Sequence, residues 1–206
     1  MLDLLFPDFE FRIKTGELNT HPNPKAPLSN DVMAHFLSFN TNNYFLGPPA
    51  PHPFDPSEPL LRTVNPGRDT NVKNNFTWLP YLPGFITYVP FTRQLPIITG
   101  KMSGCWLVLF TMKGQTYFGH IGTHDTDIPT TLRVKNAWKM ALNHKMITPY
   151  RAFQPKNQGP ELSNLFAALS EKGTFYSIGF TEPKAWACKV TKRTEVAGLI
   201  SAPQFT

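Results

Sequence analysis

Residues 98–123 read ITGKMSGCWLVLFTMKGQTYFGHIGT. Cys105 to Thr111 is a continuous apolar run, and Gln115 to Gly122 follows it after Lys113-Gly114, a dipeptide suited to a two-residue turn. The two runs predict an antiparallel hairpin in which Met112 faces Gln115, Leu107 faces His120 and Cys105 faces Gly122. Side chains alternate along a strand, so Cys105 and His120 project to the same face. As diagonal neighbours their alpha carbons should lie roughly 7–8 Å apart. A one-residue bulge would reverse that parity.

Working outward, Phe9, Phe11 and Ile13 alternate and predict an early strand. Ten prolines fall between Pro22 and Pro66, which predicts a proline-rich loop layer over about 20–70, with a short helix near 30–38. Long loops in compact domains are often functional. The 44–66 part is therefore expected to select the partner, with Tyr44, Phe45 and Phe54 as its rim. Residues 76–99 read as strands broken by Pro80, Pro83, Pro90 and Pro96. Asp127-Ile128-Pro129 opens a helix with proline in its first turn, and Leu132, Val134, Ala137, Trp138, Ala141 and Leu142 form its apolar face. A second helix is expected at 160–171, followed by strands TFYSIGFT, AWACKVT and VAGLIS. Strands outnumber helices and follow one another in antiparallel runs. The expected fold is α+β: a sandwich of two mixed, largely antiparallel β-sheets flanked by helices and long loops, in one domain spanning 1–206.

Composition narrows the function classes. With 41% hydrophobic and 13% aromatic residues the chain is a folded protein, not a disordered tail. The net charge of +6 admits acidic partners, but the cations are scattered, and Lys189, Lys192 and Arg193 form only a short cluster. That is a solvated surface with a cationic excess and does not require nucleic acid. Acidic residues and a proline interrupt MLDLLFPDFEFRIK, so no secretory signal is expected, and no apolar run is long enough to span a membrane. A cytoplasmic location in the producing cell follows as the expectation. Cys105 and Cys188 are the two cysteines and make no disulfide framework.

The Cys105–His120 pair has a chemical rationale. A free thiol has a pKa of about 8.5, so it is largely protonated at neutral pH. An adjacent imidazole can stabilise the thiolate and later protonate a leaving amine. Ser103 and Gly104 allow a tight bend whose backbone N–H groups would form an oxyanion hole, and Thr99 would orient the imidazole through its hydroxyl or carbonyl. The competing view makes Cys105 a buried small hydrophobe beside Trp106, and His120 an ordinary strand residue. Cys188 alternates with Trp186 and Val190, lacks a histidine nearby in sequence, and reads as structural.

The run Thr99-Gly100-Lys101-Met102-Ser103-Gly104-Cys105, followed by His120, resembles the glutamine deamidase toxins, which include the cytotoxic necrotizing factor catalytic domain and Burkholderia lethal factor. Their signature is Leu-Ser-Gly-Cys with a histidine one short hairpin later; Met102 stands here in place of the leucine. A threonine six positions before the cysteine, Trp78-Leu79-Pro80 upstream and a tryptophan-bearing helix downstream extend the likeness over about 75–140. The resemblance implies a bacterial toxin or effector-like enzyme, delivered to host cytosol. It would act as a monomer on one glutamine of a host protein of the translation-factor or small-GTPase class. It implies Cys105 as nucleophile, His120 as acid–base, Thr99 as support, and no cofactor or metal.

Two other classes stay open at this point. A Cys-His acyl-transfer enzyme can be a transglutaminase or peptidase if the acceptor is an amine or the substrate a peptide bond. A basic binding domain for RNA or an acidic protein would use Cys105 only as core. His124, Asp125 and Asp127 read as loop and helix-capping residues, because no fourth ligand or metal spacing accompanies them. His21, His35 and His52 show no partner pattern, and Trp78, Tyr81, Phe85 and Tyr88 read as core aromatics.

Overall fold

A computed structural model describes residues 1–13, 24–40, 42–102, 104–124, 126–155, 165–184 and 187–205. The hairpin is where the sequence places it. Strands β8 (Trp106–Met112) and β9 (Gln115–Ile121) pair with Leu107 opposite His120 and Met112 opposite Gln115, without a bulge. Lys113 and Gly114 both take positive φ, 51° and 79°, as a type I′ turn requires. With β2 (Phe36–Ser38), β6 (Ile86–Pro90) and β10 (Thr148–Phe153) the hairpin builds a five-stranded sheet in the order β10-β8-β9-β6-β2.

The remaining strands form a closed barrel. These are β1 (Glu10–Arg12), β3 (Asn43–Ala50), β4 (Leu61–Pro66), β5 (Asn75–Pro80), β7 (Ile97–Met102), β11 (Leu165–Leu169), β12 (Phe175–Lys184) and β13 (Ala187–Glu195). They run β1-β13-β12-β11-β7-β5-β3-β4, and the parallel pairing of β1 with β4 closes the ring. A single α-helix among the described residues, α1 (Ile128–Asn143), covers the far face of the sheet. The expected helix-flanked two-sheet sandwich is therefore wrong: this is a mostly-β molecule, a barrel packed on a sheet. The physical reason is that closure depends on parallel pairings of β1 with β4 and β5 with β7, and no local pattern announces a parallel pair.

The predicted helix at 160–171 is also overturned. Leu165–Leu169 is β11, a fully buried strand; residues 160–164 lie outside the described residues. A short apolar run has no periodicity that separates buried strand from helix. VAGLIS contributes only an isolated bridge between Ile200 and Ala152. Leu132 is not on the covered face of α1; it is 52% exposed, while Thr130 and Thr131 are buried with Val134, Ala137, Trp138 and Ala141. The proline-rich stretch supplies a 3-10 turn at Val32–His35 and strands β2, β3 and β4, with a loop of bends and a turn at 55–58 between Ala50 and Leu61. Tyr44 points into the barrel and is buried, so it cannot act as a rim; Phe54, at 90% exposed, stands on the loop.

Three apolar layers result. The barrel interior holds Phe11, Trp78, Phe166, Phe180 and Cys188. A middle layer between barrel and sheet holds Leu79, Ile97, Cys105, Leu107, Leu109, Phe118 and Phe175. An outer layer joins the sheet to α1 through Phe110, Val108 and Trp138. Because the sheet is covered on both sides, WLVLF reads as unbroken apolar sequence. The candidate site belongs to the middle layer, where outward-facing residues of β5 and β7 meet the inner face of β8 and β9.

Candidate functional site

Cys105 sits one residue before β8, at the edge of the middle layer, and is 3% exposed. Its thiol lies 3.6 Å from Thr123 Oγ1, which donates to the sulfur, and 3.7 Å from the Thr123 carbonyl oxygen, to which it donates. Thr123 is held there by the chain before it. Gly122 donates to Phe85 O and accepts from Gly84 N, each at 2.8 Å. A Cβ on Gly122 would lie 2.1 Å from Leu82 O, so no larger residue fits this crossing.

His120, on β9, is completely buried. Its Nδ1 lies 2.7 Å from Thr99 Oγ1, which reaches across from barrel strand β7. The hydroxyl is itself buried, and Nδ1 is its partner among the described residues. A threonine hydroxyl can donate to Nδ1 or accept from Nδ1–H, so the bond suits either imidazole tautomer. Nε2 has no hydrogen-bond partner among the described residues. Burial alone pushes the imidazole pKa down from 6.5 to about 3, so His120 is neutral at physiological pH.

Tyr81, just beyond β5, joins the two halves. Its ring lies 5.2 Å from that of His120 at 32°, and its hydroxyl donates to Thr123 O at 2.6 Å. Cys105 and His120 share the face that the hairpin register dictates and are linked through Thr123 and Tyr81 rather than by a direct hydrogen bond. Sequence reasoning placed Tyr81 among core aromatics and did not single out Thr123. The one available signal was Gly122 opposite Cys105, which puts the next residue beside the thiol.

Gly104, with φ at +94°, precedes the cysteine. Its N–H donates to Pro155 O at 3.1 Å and its carbonyl accepts from Gln154 Nε2 at 2.6 Å, so in this conformation the expected oxyanion donor is occupied. Ser103 lies outside the described residues. A cleft of about 330 Å³ opens beside the cysteine, lined by Gly104, Trp106, Thr123, Lys135 and Gln154 among others.

The other candidates take structural positions. Asp127 caps α1 by accepting from Thr130 N at 3.0 Å, and His124 Nδ1 accepts from Asp127 N at 3.2 Å. Asp125 lies outside the described residues, among which no three His, Cys, Asp or Glu side chains are grouped to hold a metal. His35 Nδ1 meets Gly84 O at 2.9 Å, His52 accepts from Phe54 N at 3.3 Å, and His21 and Trp186 lie outside the described residues. Trp78 and Phe85 are buried. Cys188 is fully buried in the barrel; burial, then the Glu182 charge, pushes its thiol up to about 12. Lys189 is paired with Asp8 at 3.1 Å, and Arg193 stacks on Tyr176 while donating to Leu2 O. No described helix is long and apolar enough to cross a membrane.

Comparison of the chain with protein-family models, with curated proteins and with solved structures finds no match.

Proposed function

We propose that this protein is a glutamine deamidase that converts one glutamine of a target protein to glutamate, acting as a bacterial toxin or effector on a host protein of the translation-factor or small-GTPase class. The observation that carries the reading is the Thr99–His120 arrangement: a buried imidazole anchored at Nδ1, with an unpartnered Nε2, on the same sheet face as Cys105. Leaving a buried polar group unpaired costs about 1–3 kcal/mol, so each one calls for an explanation, and a reacting partner is one. Trp78 and Trp138 carry equally unmatched N–H groups, so the orphan nitrogen alone would mark nothing. Its coincidence with the threonine anchor and the facing cysteine is what supports the assignment.

In the proposed reaction the Cys105 thiolate attacks the side-chain carboxamide carbon of glutamine. The C–N bond breaks, and nitrogen leaves as ammonia with the proton that His120 Nε2–H delivers. Water then cleaves the thioester, giving glutamate and the free thiol. For the imidazole to accept the thiol proton first, Nε2 must be unprotonated. The Thr99 hydroxyl must then turn and accept from Nδ1–H. Thr99 thus holds the ring in either tautomer.

A non-enzymatic role draws on the burial of Cys105 and His120, at 3% and 0% exposure. The two readings separate by incubating the protein with candidate targets and measuring intact mass. A gain of about 1 Da confined to one glutamine, absent with Cys105→Ser, is expected of the enzyme. No gain on any target with either protein would refute it.

A further inference from the structure

Gly104 presents one backbone donor and one backbone acceptor, and both are filled by consecutive residues of the same strand extension. The Pro155 carbonyl sits on the N–H at 3.1 Å, and the Gln154 side-chain amide sits on the carbonyl at 2.6 Å. Because the partner of that amide is a carbonyl oxygen, its orientation is fixed: the NH2 end faces Gly104. An acyl oxygen and a primary amide nitrogen are the two polar ends of a carboxamide. The residue before Cys105 is thus already engaged by the pattern of groups that a glutamine side chain would offer. The space above it is open, since a Cβ built on Gly104 would meet nothing within 4 Å.

Gln154 also separates two cavities. One, of about 330 Å³, lies on the Thr123 and Lys135 side; the other, of about 490 Å³, lies on the Lys192 and Glu195 side. Trp106 and Gln154 line both.

We propose that the Gly104 carbonyl is the acceptor for the substrate's carboxamide NH2 and that Gln154 occupies this subsite in cis, as a latch the substrate glutamine displaces. The proposal rests on the deamidase reading and adds the recognition element and its resting occupant. It accounts for specificity toward a primary amide: a carboxylate or an N,N-dialkyl amide has no N–H to give the carbonyl.

The test compares two neutral thiol reagents, chloroacetamide and N,N-dimethylchloroacetamide, in the wild type and in Gln154→Ala and Gln154→Glu. The glutamate variant keeps the side-chain shape and loses the N–H donor, so it carries the test if the alanine variant misfolds. Alkylation of Cys105 is followed by peptide mass, with each rate divided by that of a free model thiol. Losing one neutral hydrogen bond should free the subsite and speed chloroacetamide by about fivefold to tenfold. The dimethyl reagent should gain distinctly less. Equal acceleration of both reagents would show that Gln154 merely covers the cleft, and no acceleration of either would show that it closes nothing; both results overturn the subsite. The assay needs no turnover. A selective acceleration with no deamidation of any protein would leave the subsite standing and refute the catalytic reading instead.

Discussion

Replacing His120 with asparagine isolates the consequence of burying an imidazole. Asparagine Oδ1 falls near the position of Nδ1 and can accept from the Thr99 hydroxyl, so the anchor at 2.7 Å has a substitute while the titratable group is removed. In the folded protein burial holds the His120 pKa at about 3, against 6.5 for an unperturbed histidine. Between these values the unfolded chain binds a proton that the folded chain refuses. Stability therefore rises with pH across this window, is fully present above about pH 6.5, and is lost as pH falls. At about 1.36 kcal/mol per pH unit, the loss from His120 alone approaches about 2 kcal/mol by pH 5 and about 4 kcal/mol by pH 3. Urea unfolding of the wild type and His120→Asn at pH 7.5 and pH 5.0 reads the difference, since carboxylates titrate alike in both. The wild type should lose about 2 kcal/mol more than the variant between the two pH values. Parallel losses would mean that His120 is protonated in the folded state, and that the imidazole at the site is not neutral.

Cys105→Ser should fold with little loss of stability and lose activity, because serine lacks a comparable thiolate, and thermal unfolding with a target-mass assay checks both. Cys188→Ser should keep activity, since that thiol is buried inside the barrel with a pKa near 12; equal loss in the two variants would mean the wrong cysteine was chosen. Thr99→Val removes the hydroxyl that anchors the imidazole at Nδ1, so kcat should fall at least tenfold with KM little changed, while Thr99→Ser should restore most of the rate. Tyr81→Phe deletes the hydroxyl bonded to Thr123 O at 2.6 Å and should cost about 1 kcal/mol of stability by urea titration.

The hairpin was legible because two local rules agreed on it. A two-residue turn at Lys113-Gly114 sets the register, and period-two alternation sets the face, so Leu107 opposite His120 followed without long-range information. Thr99 was found as an offset from Cys105, and only the barrel-on-sheet packing explains how β7 delivers it to Nδ1. Barrel closure was not legible, because strands such as β1 and β4 meet across some fifty residues of chain. The prolines of 44–66 obscured β3 and β4. Proline is tolerated there at an irregular register, as between Leu46 and Pro49, and local propensity reads the same residues as loop. Tyr81 and Thr123 were hidden for a related reason: each lies just past the end of a strand, where position depends on how the next segment crosses.

Attack of Cys105 on a glutamine side chain, with help from His120, is tested by proteome-wide mass spectrometry of a cell extract incubated with the wild type, with Cys105→Ser and with His120→Asn. One glutamine in one protein should gain about 1 Da with the wild type, not with Cys105→Ser, and far more slowly with His120→Asn. The same gain appearing with folded Cys105→Ser would contradict it.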